Sequence, residues 1–190
     1  PLPEAAFRHP EDARWHLQEG LRRHEAAFGA SAAGLWPPEG SVSEDAVGLA
    51  AAAGVRWLAT DEAILWLTLK RPRTAGALYR PHRWHRDGKE LAILFRNREL
   101  SDLIGFVYSR WDPARAAADF LARLGAIHQQ AQQSREPWLV SIVLDGENAW
   151  EAYAQDGHPF LTNLYAALAA DPRQGALGRT RVAQERQDRV

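Results

Sequence analysis

Glu39 and Asp145 are the two carboxylates in this sequence that are the strongest candidates for catalysis or ligand binding. Glu39 lies in the segment WPPEG, directly after two prolines, which restrict the backbone, and directly before Gly40. Asp145 follows the segment WLVSIVL, in which only Ser141 is polar. Two carboxylates on one surface can hydrolyse a glycosidic bond if one is ionised and the other protonated, and they can equally bind a metal ion.

Polar residues also follow two other apolar segments, VRWLA (55–59) and LAILF (91–95). If all of these segments are parallel strands, their carboxyl ends lie along one rim, which is where α/β folds bind ligands. Helix capping is the expected role of Thr60, Asp61 and Asn97.

Capping is also the main alternative to catalysis for the two carboxylates. For Asp145 the pattern leaves the two roles equally open. The helix after Glu39 has a predicted cap of its own, because Ser41 and Glu44 form a capping box. The pattern therefore favours a functional role for Glu39 more strongly than for Asp145.

The segments that position these residues alternate between helix and strand. Helical spacing, caps and breakers predict helices at 10–28, 41–54, 60–69, 100–107, 112–133 and 160–168. Short apolar runs predict strands at 30–36, 55–59, 91–95 and 138–144, and the aperiodic segment 70–90 predicts a loop. Strands that are apolar on both faces indicate a parallel sheet covered by helices, and hence the α/β class. Periodicity does not distinguish a closed barrel from an open sheet.

Composition excludes several classes of protein. The net charge of −1 gives no electrostatic basis for binding nucleic acid or an anionic membrane. Cysteine is absent, which rules out disulfides and thiolate metal sites, and no apolar run is long enough to cross a bilayer. We therefore expect a soluble, cytoplasmic protein without a cofactor. The chain begins at Pro1 and has no methionine, so we expect it to be a piece of a longer protein.

Histidine and tryptophan are the remaining candidates for ligand binding. His82 and His85 have metal-ligand spacing, but they lie in an arginine- and proline-rich segment without a third ligand nearby. A solvated loop is therefore expected there, and no metal site is predicted. Ordinary packing accounts for most of the eight tryptophans, and two or three are expected to line a ligand groove.

Four longer motifs occur in order along the chain: GLWPPEGSVSEDA (34–46), GVRWLATDEAIL (54–65), FRNRELSDLIGFVYS (95–109) and VSIVLDGENAWE (140–151). Together they resemble glycoside hydrolase family 57, in particular its amylopullulanase and α-amylase-like branch. The resemblance implies an α/β fold, an incomplete seven-fold (β/α) barrel of parallel strands in residues 1–170. A polar tail, or the start of a following segment, is expected at 171–190.

The resemblance also implies the reaction and the roles of six residues. Members of the family cleave or transfer α-glucosidic bonds of α-glucans with retention. On the matching positions Glu39 is the nucleophile and Asp145 the acid/base, which implies that the two carboxyl groups lie about 5–5.5 Å apart. Four further residues are candidates for binding the substrate: Trp36, Arg96, Asp102 and Trp150.

The sequence departs from the family pattern in three respects. It lacks the His-rich motif of the family's first strand, and it lacks a second early motif that supplies an acidic residue. In the third motif, Asn97 occupies the position where Asp is expected. The missing strands are expected to come from the remainder of the protein's own barrel or from another chain. Two other functions stay open, namely a non-catalytic carbohydrate-binding or scaffold domain and a metal-dependent polysaccharide deacetylase. The expected partner is an α-glucan, and neither nucleic acid nor a membrane is an expected partner.

Overall fold

The computed structural model describes residues 10–70, 72–146 and 150–171. The chain divides into two compact units. The first unit consists of Pro1–Asp102 with Ala131–Val143, and the second of Leu103–Gln130 with Leu144–Val190. Within the described residues, no helix combines the length and apolar content that crossing a bilayer requires.

The first unit is built on a four-stranded sheet in the order β1-β2-β4-β3. Its strands are β1 (Gly34–Leu35), β2 (Trp57–Asp61), β3 (His82–Arg86) and β4 (Lys89–Arg96). β1 and β2 are parallel, and so are β2 and β4, whereas β3 is antiparallel to β4. The carboxyl ends of β1, β2 and β4 therefore lie at the same edge of the sheet. We call this edge the rim.

The described residues contain seven α-helices. They are α1 (Pro10–Phe28), α2 (Glu44–Ala52), α3 (Glu62–Leu69), α4 (Ala75–Leu78), α5 (Arg98–Asp102), α6 (Pro113–Ala131) and α7 (His158–Ala170). α2 packs on the sheet through a core of small and branched apolar side chains: Val47, Ala50, Val55, Leu58 and Leu91. Burying these side chains holds α2, β2 and β4 together.

Aromatic side chains form the core of the second unit. The Tyr108 ring lies 5.9 Å from that of Phe160 and 6.4 Å from that of Phe120. The Tyr108 hydroxyl donates a hydrogen bond of 2.6 Å to Asp119, which also accepts one of 2.8 Å from Arg123. The aromatic contacts join α6 to α7.

The predicted fold class is confirmed: the chain is mixed α/β with a mostly parallel, open sheet, as an incomplete (β/α) barrel would have. The helix predicted at 10–28 has the predicted bounds, and the Asp112 cap is present, since its carboxylate accepts a hydrogen bond of 2.9 Å from the Arg115 N–H. The domain division at residue 170 stays a prediction, because 172–190 lie outside the described residues.

The strand predicted at 138–144 is wrong. The segment makes a single parallel bridge to the sheet, between Ser141 and Arg96. The reason is competition for an edge: β2 occupies one side of β4, and β3 covers the other side up to Ile93. Only the last residues of β4 are left to pair with the apolar segment.

The loop predicted at 70–90 is also wrong, because it contains α4 and the whole of β3. Asp87 and Gly88 form the turn between β3 and β4, with φ angles of 51° and 71°. Two left-handed residues make the turn that fits a two-residue hairpin, for which Asp-Gly is a preferred pair. His82 and His85 lie three residues apart on β3, which directs their side chains to opposite faces, so they cannot share a metal ion.

Candidate active site

The backbone at Glu39 adopts a conformation that is unusual for a residue with a side chain. Its φ is 57°, and that of Gly40 is 61°, so two consecutive residues are left-handed. The Gly40 N–H donates to the Pro37 carbonyl at 2.8 Å, and the Ser41 N–H donates to the Pro38 carbonyl at 3.1 Å. The turn is thus held closed on both sides of Glu39. A costly conformation held in this way is characteristic of functional positions.

Two side chains fix this turn to its surroundings. The fully buried Thr60 hydroxyl, at the end of β2, donates a hydrogen bond of 2.5 Å to the Gly40 carbonyl. The Trp36 ring lies so close to Gly40 that a Cβ there would be 3.0 Å from it. Gly40 is therefore required both for its φ and for the close approach of Trp36. The Glu39 side chain remains exposed, and no described residue forms a hydrogen bond or ion pair with its carboxylate.

Asp61 is the centre of an ion-pair network on the same rim. Its carboxylate accepts hydrogen bonds from Arg96 Nη1 at 3.0 Å and from Arg98 Nη2 at 2.5 Å. It also caps α3 through the Ala63 N–H at 2.9 Å. Burial raises the pKa of Asp61, but the hydrogen bonds from Arg98, Ala63 and Arg96 outweigh it, so the net pKa lies below the usual value.

Arg96 connects three segments through its guanidinium group. Nε donates to the Val143 carbonyl at 3.2 Å, Nη1 bonds Asp61, and Nη2 bonds Asp102. The Arg96 side chain is only 17% exposed. Its donors thus tie the end of β4 to β2, to α5 and to the chain two residues before Asp145. The predicted contact of Arg96 and Asp102 with substrate stays a prediction, and in the structure the two residues bind each other.

Of the four helix caps predicted around the rim, two are confirmed and two are wrong. Asp61 caps α3, and Asn97 Oδ1 accepts a hydrogen bond of 2.8 Å from the Leu100 N–H, so both are confirmed. Thr60 caps nothing and holds the Glu39 turn instead. The predicted box at Ser41 is wrong, because Ser43 caps α2 and accepts a bond of 3.1 Å from the Ala46 N–H.

Glu62 and Arg98 are two further rim residues, for which the sequence alone predicted no role. Burial raises the pKa of Glu62, whose carboxylate accepts a bond of 3.4 Å from the Arg98 N–H. Arg98 is half exposed and binds Asp61 through two nitrogens. The sequence did contain a signal for Arg98, because a basic residue just beyond the end of one strand can reach an acidic residue at the end of the neighbouring parallel strand.

Asp145 and Trp150 belong to the second unit. Asp145 is exposed. The Trp150 ring lies over Gly157, where a Cβ would be 2.6 Å from the ring, and its centre is 5.5 Å from that of Tyr153. The Tyr153 hydroxyl donates a bond of 2.5 Å to the Ile104 carbonyl, and burial raises the pKa of Tyr153 to about 12. The roles of Asp145 and Trp150 and the predicted distance from Glu39 to Asp145 stay predictions.

Metal binding finds no support in the described part of the chain. No group of three or more His, Cys, Asp or Glu residues there is arranged to hold an ion.

Three of the four groups of polar residues predicted to follow strands meet at the rim, namely those after β1, β2 and β4. Thr60 contacts Gly40, and Asp61 contacts Arg96. The rim offers an exposed carboxylate on a rigid turn beside a network of fixed charges.

The family of the chain follows from its sequence as a whole. The profile of glycosyl hydrolase family 57 matches residues 4–183, which is nearly the entire chain. The chain belongs to glycosyl hydrolase family 57. This confirms the resemblance drawn from the four motifs, whereas the amylopullulanase and α-amylase-like branch remains a prediction.

One solved structure has a similar fold. The crystal structure of 4-α-glucanotransferase from Thermococcus litoralis superimposes with a TM-score of 0.66 at 17% sequence identity. The match covers 86% of this chain and 24% of the glucanotransferase, so the chain spans about a quarter of that protein. At this identity the likeness establishes the fold alone. No curated protein matches the chain significantly.

Proposed function

We propose that this chain carries the catalytic carboxylates of an enzyme that cleaves or transfers α-glucosidic bonds in α-glucans with retention. The observation that carries the proposal is the Glu39 turn, in which a carboxylate is held in a left-handed conformation at the carboxyl end of a parallel strand. Family membership and the 4-α-glucanotransferase activity for which the Thermococcus litoralis enzyme is named give the proposal its substrate class.

Glu39 is the nucleophile in this proposal. Its carboxylate attacks the anomeric carbon while the protonated Asp145 donates its proton to the departing glycosidic oxygen. The products of this step are a glycosyl ester on Glu39 and a shortened glucan. Asp145, now ionised, takes a proton from water or from a sugar hydroxyl, and that oxygen displaces Glu39. Two displacements at one carbon restore the original configuration.

The network around Arg96 has a positioning role. Since catalysis depends on the placement of reacting groups to within a fraction of an ångström, the segment that leads to Asp145 must be fixed. The bond from Arg96 Nε to the Val143 carbonyl supplies one fixed point two residues before Asp145. Asp61 and Asp102 in turn hold the guanidinium in place.

Sugar contacts are assigned to Trp36 and Trp150, as the family resemblance implies. Both rings lie against a glycine, Trp36 over Gly40 and Trp150 over Gly157. A ring fixed on one side loses little conformational entropy when a sugar packs on it. The remaining strands of the barrel are assigned to parts of the protein outside this chain.

The direct test of this function is incubation of the full-length protein with maltoheptaose. Shorter products indicate hydrolysis, and a mixture of shorter and longer chains indicates transfer. The first product released should be the α anomer when followed by proton NMR. Bound maltoheptaose that keeps its length would support the non-catalytic carbohydrate-binding function, and a β anomer would exclude retention.

A further inference from the structure

The first unit has a groove whose residues take no part in the proposed chemistry. It has a volume of about 470 Å³ and lies between α1, α2 and the hairpin of β3 and β4. This volume falls within the range of small-molecule sites, roughly 300–1,000 Å³. The groove is therefore large enough for one or more sugar rings.

Trp84 supplies the aromatic surface of the groove. Its indole N–H donates a hydrogen bond of 2.8 Å to Glu44 in the first turn of α2. Facing it on the same helix is Gly48, where a Cβ would lie 3.8 Å from the tip of the ring. The glycine keeps the space beside the ring open, and the hydrogen bond fixes the orientation of the indole.

Charged side chains line the groove in nearly equal numbers. Three are basic and four are acidic. Arg86 forms weak ion pairs with Asp45 at 3.4 Å and with Asp87 at 3.6 Å. A balanced set of charges favours neither an anion nor a cation. Carboxylates and guanidinium groups do, however, form paired hydrogen bonds with adjacent hydroxyls of a neutral ligand.

We propose that this groove binds glucose units of an α-glucan as a site separate from the catalytic carboxylates. The flat face of Trp84 would pack against the C–H groups of a sugar ring, and the surrounding charged groups would bind its hydroxyls. The inference rests on the proposed function for its choice of sugar. Such a site would keep long glucan chains bound to the enzyme, since a second contact raises the effective concentration of substrate.

Calorimetric titration with maltoheptaose tests the inference. Glu39→Gln in the full-length protein prevents turnover during the measurement and serves as the background. Gly48→Gln fills the groove without removing any contact and suits a helix better than glycine. Gly20→Gln on α1 is the matched control, because a Cβ at Gly20 meets no atom of the described residues within 4 Å. Gly48→Gln should bind one maltoheptaose fewer than Gly20→Gln.

Trp84 variants provide an independent measurement. Trp84→Phe retains a ring but loses the bond to Glu44, and it should weaken binding in the groove by about tenfold, whereas Trp84→Ala should abolish it. Equal binding by the Gly48→Gln and Gly20→Gln proteins would overturn the inference, and so would no binding by either. A third outcome is that the wild-type protein binds maltoheptaose without turning it over while Gly48→Gln still binds one molecule fewer than Gly20→Gln. That result would reject the proposed catalytic function and support the binding site in the groove.

Discussion

The Thr60 hydroxyl at the end of β2 donates a hydrogen bond to the Gly40 carbonyl, the residue directly after Glu39. Thr60 and Gly40 are both buried, so water cannot replace the hydrogen bond between them. One side chain on a central strand thereby sets the position of the turn that carries the proposed nucleophile.

Thr60→Val should destabilise the protein, because it leaves the buried Gly40 carbonyl without a donor at a cost of about 1–3 kcal/mol. Thr68→Val is the matched control, since the exposed Thr68 hydroxyl bonds the Ile64 carbonyl of its own helix. Urea unfolding gives both free energies, and glucan turnover should fall for Thr60→Val alone. Equal stability of the two variants would contradict this role.

The sequence revealed the positions of the rim residues better than their contacts. Apolar runs located β2 and β4, and the turn residues around Glu39 marked it as special. The strand predicted at 138–144 failed because an apolar run does not reveal that β3 already occupies the edge of β4. The Asp87-Gly88 turn did signal that hairpin, but the arginines and prolines around it have no strand periodicity.

Long-range contacts were the harder part of the site. Thr60 looked like a cap because a hydroxyl after a strand is usually one, and only the fold shows Gly40 within its reach. Arg96 likewise bonds Asp61 and Val143, which lie 35 and 47 residues away in sequence. Local pattern identifies residue types at strand ends but does not say which of them meet.

Glu39→Gln should reduce turnover by at least about a thousandfold, because an amide cannot form the glycosyl ester. Stability should change little, since the substitution keeps the volume of the side chain. Glu39→Gly should be equally inactive yet as stable as wild type or more so, because a left-handed residue with a side chain costs on the order of 1 kcal/mol.

Lys70→Gly is the control for strain, since Lys70 has a φ of 49° and is exposed. It should match Glu39→Gly in thermal stability while keeping full activity. A tenth of wild-type turnover in Glu39→Gln would reject the nucleophile role.

Asp61 should make the protein lose stability in acid. Because its folded pKa lies below the unfolded value of 3.8, its contribution is complete above that value and is lost as the pH falls through the folded pKa. Asp61→Asn keeps the cap on α3, as Asn is a good cap, but removes the charge. Unfolding free energies measured from about pH 6 to pH 2 should fall more steeply for wild type than for the variant. Parallel curves would show that the ion pairs contribute nothing.

Gly157→Ala should displace Trp150. The new Cβ would be 2.6 Å from the Trp150 ring, and the φ of 79° is itself unfavourable for alanine. We expect a loss of about 2 kcal/mol or more in unfolding free energy and a changed tryptophan emission. Gly105→Ala in the same unit is the control, because its Cβ would meet no atom within 4 Å in the part of the chain that the structure describes. Similar losses in both variants would argue against a fixed Trp150.

The most direct test of the central claim is the configuration of the glucosyl azide that Glu39→Gly forms from α-glucosyl fluoride and sodium azide. If Glu39 is the nucleophile, azide enters from the face that the carboxylate has vacated and gives the β anomer. Asp145→Gly, treated in the same way, should give the α anomer, because the Glu39 ester forms first and azide then displaces it. An α-glucosyl azide from Glu39→Gly, or turnover of the fluoride by that variant without azide, would contradict the assignment of Glu39.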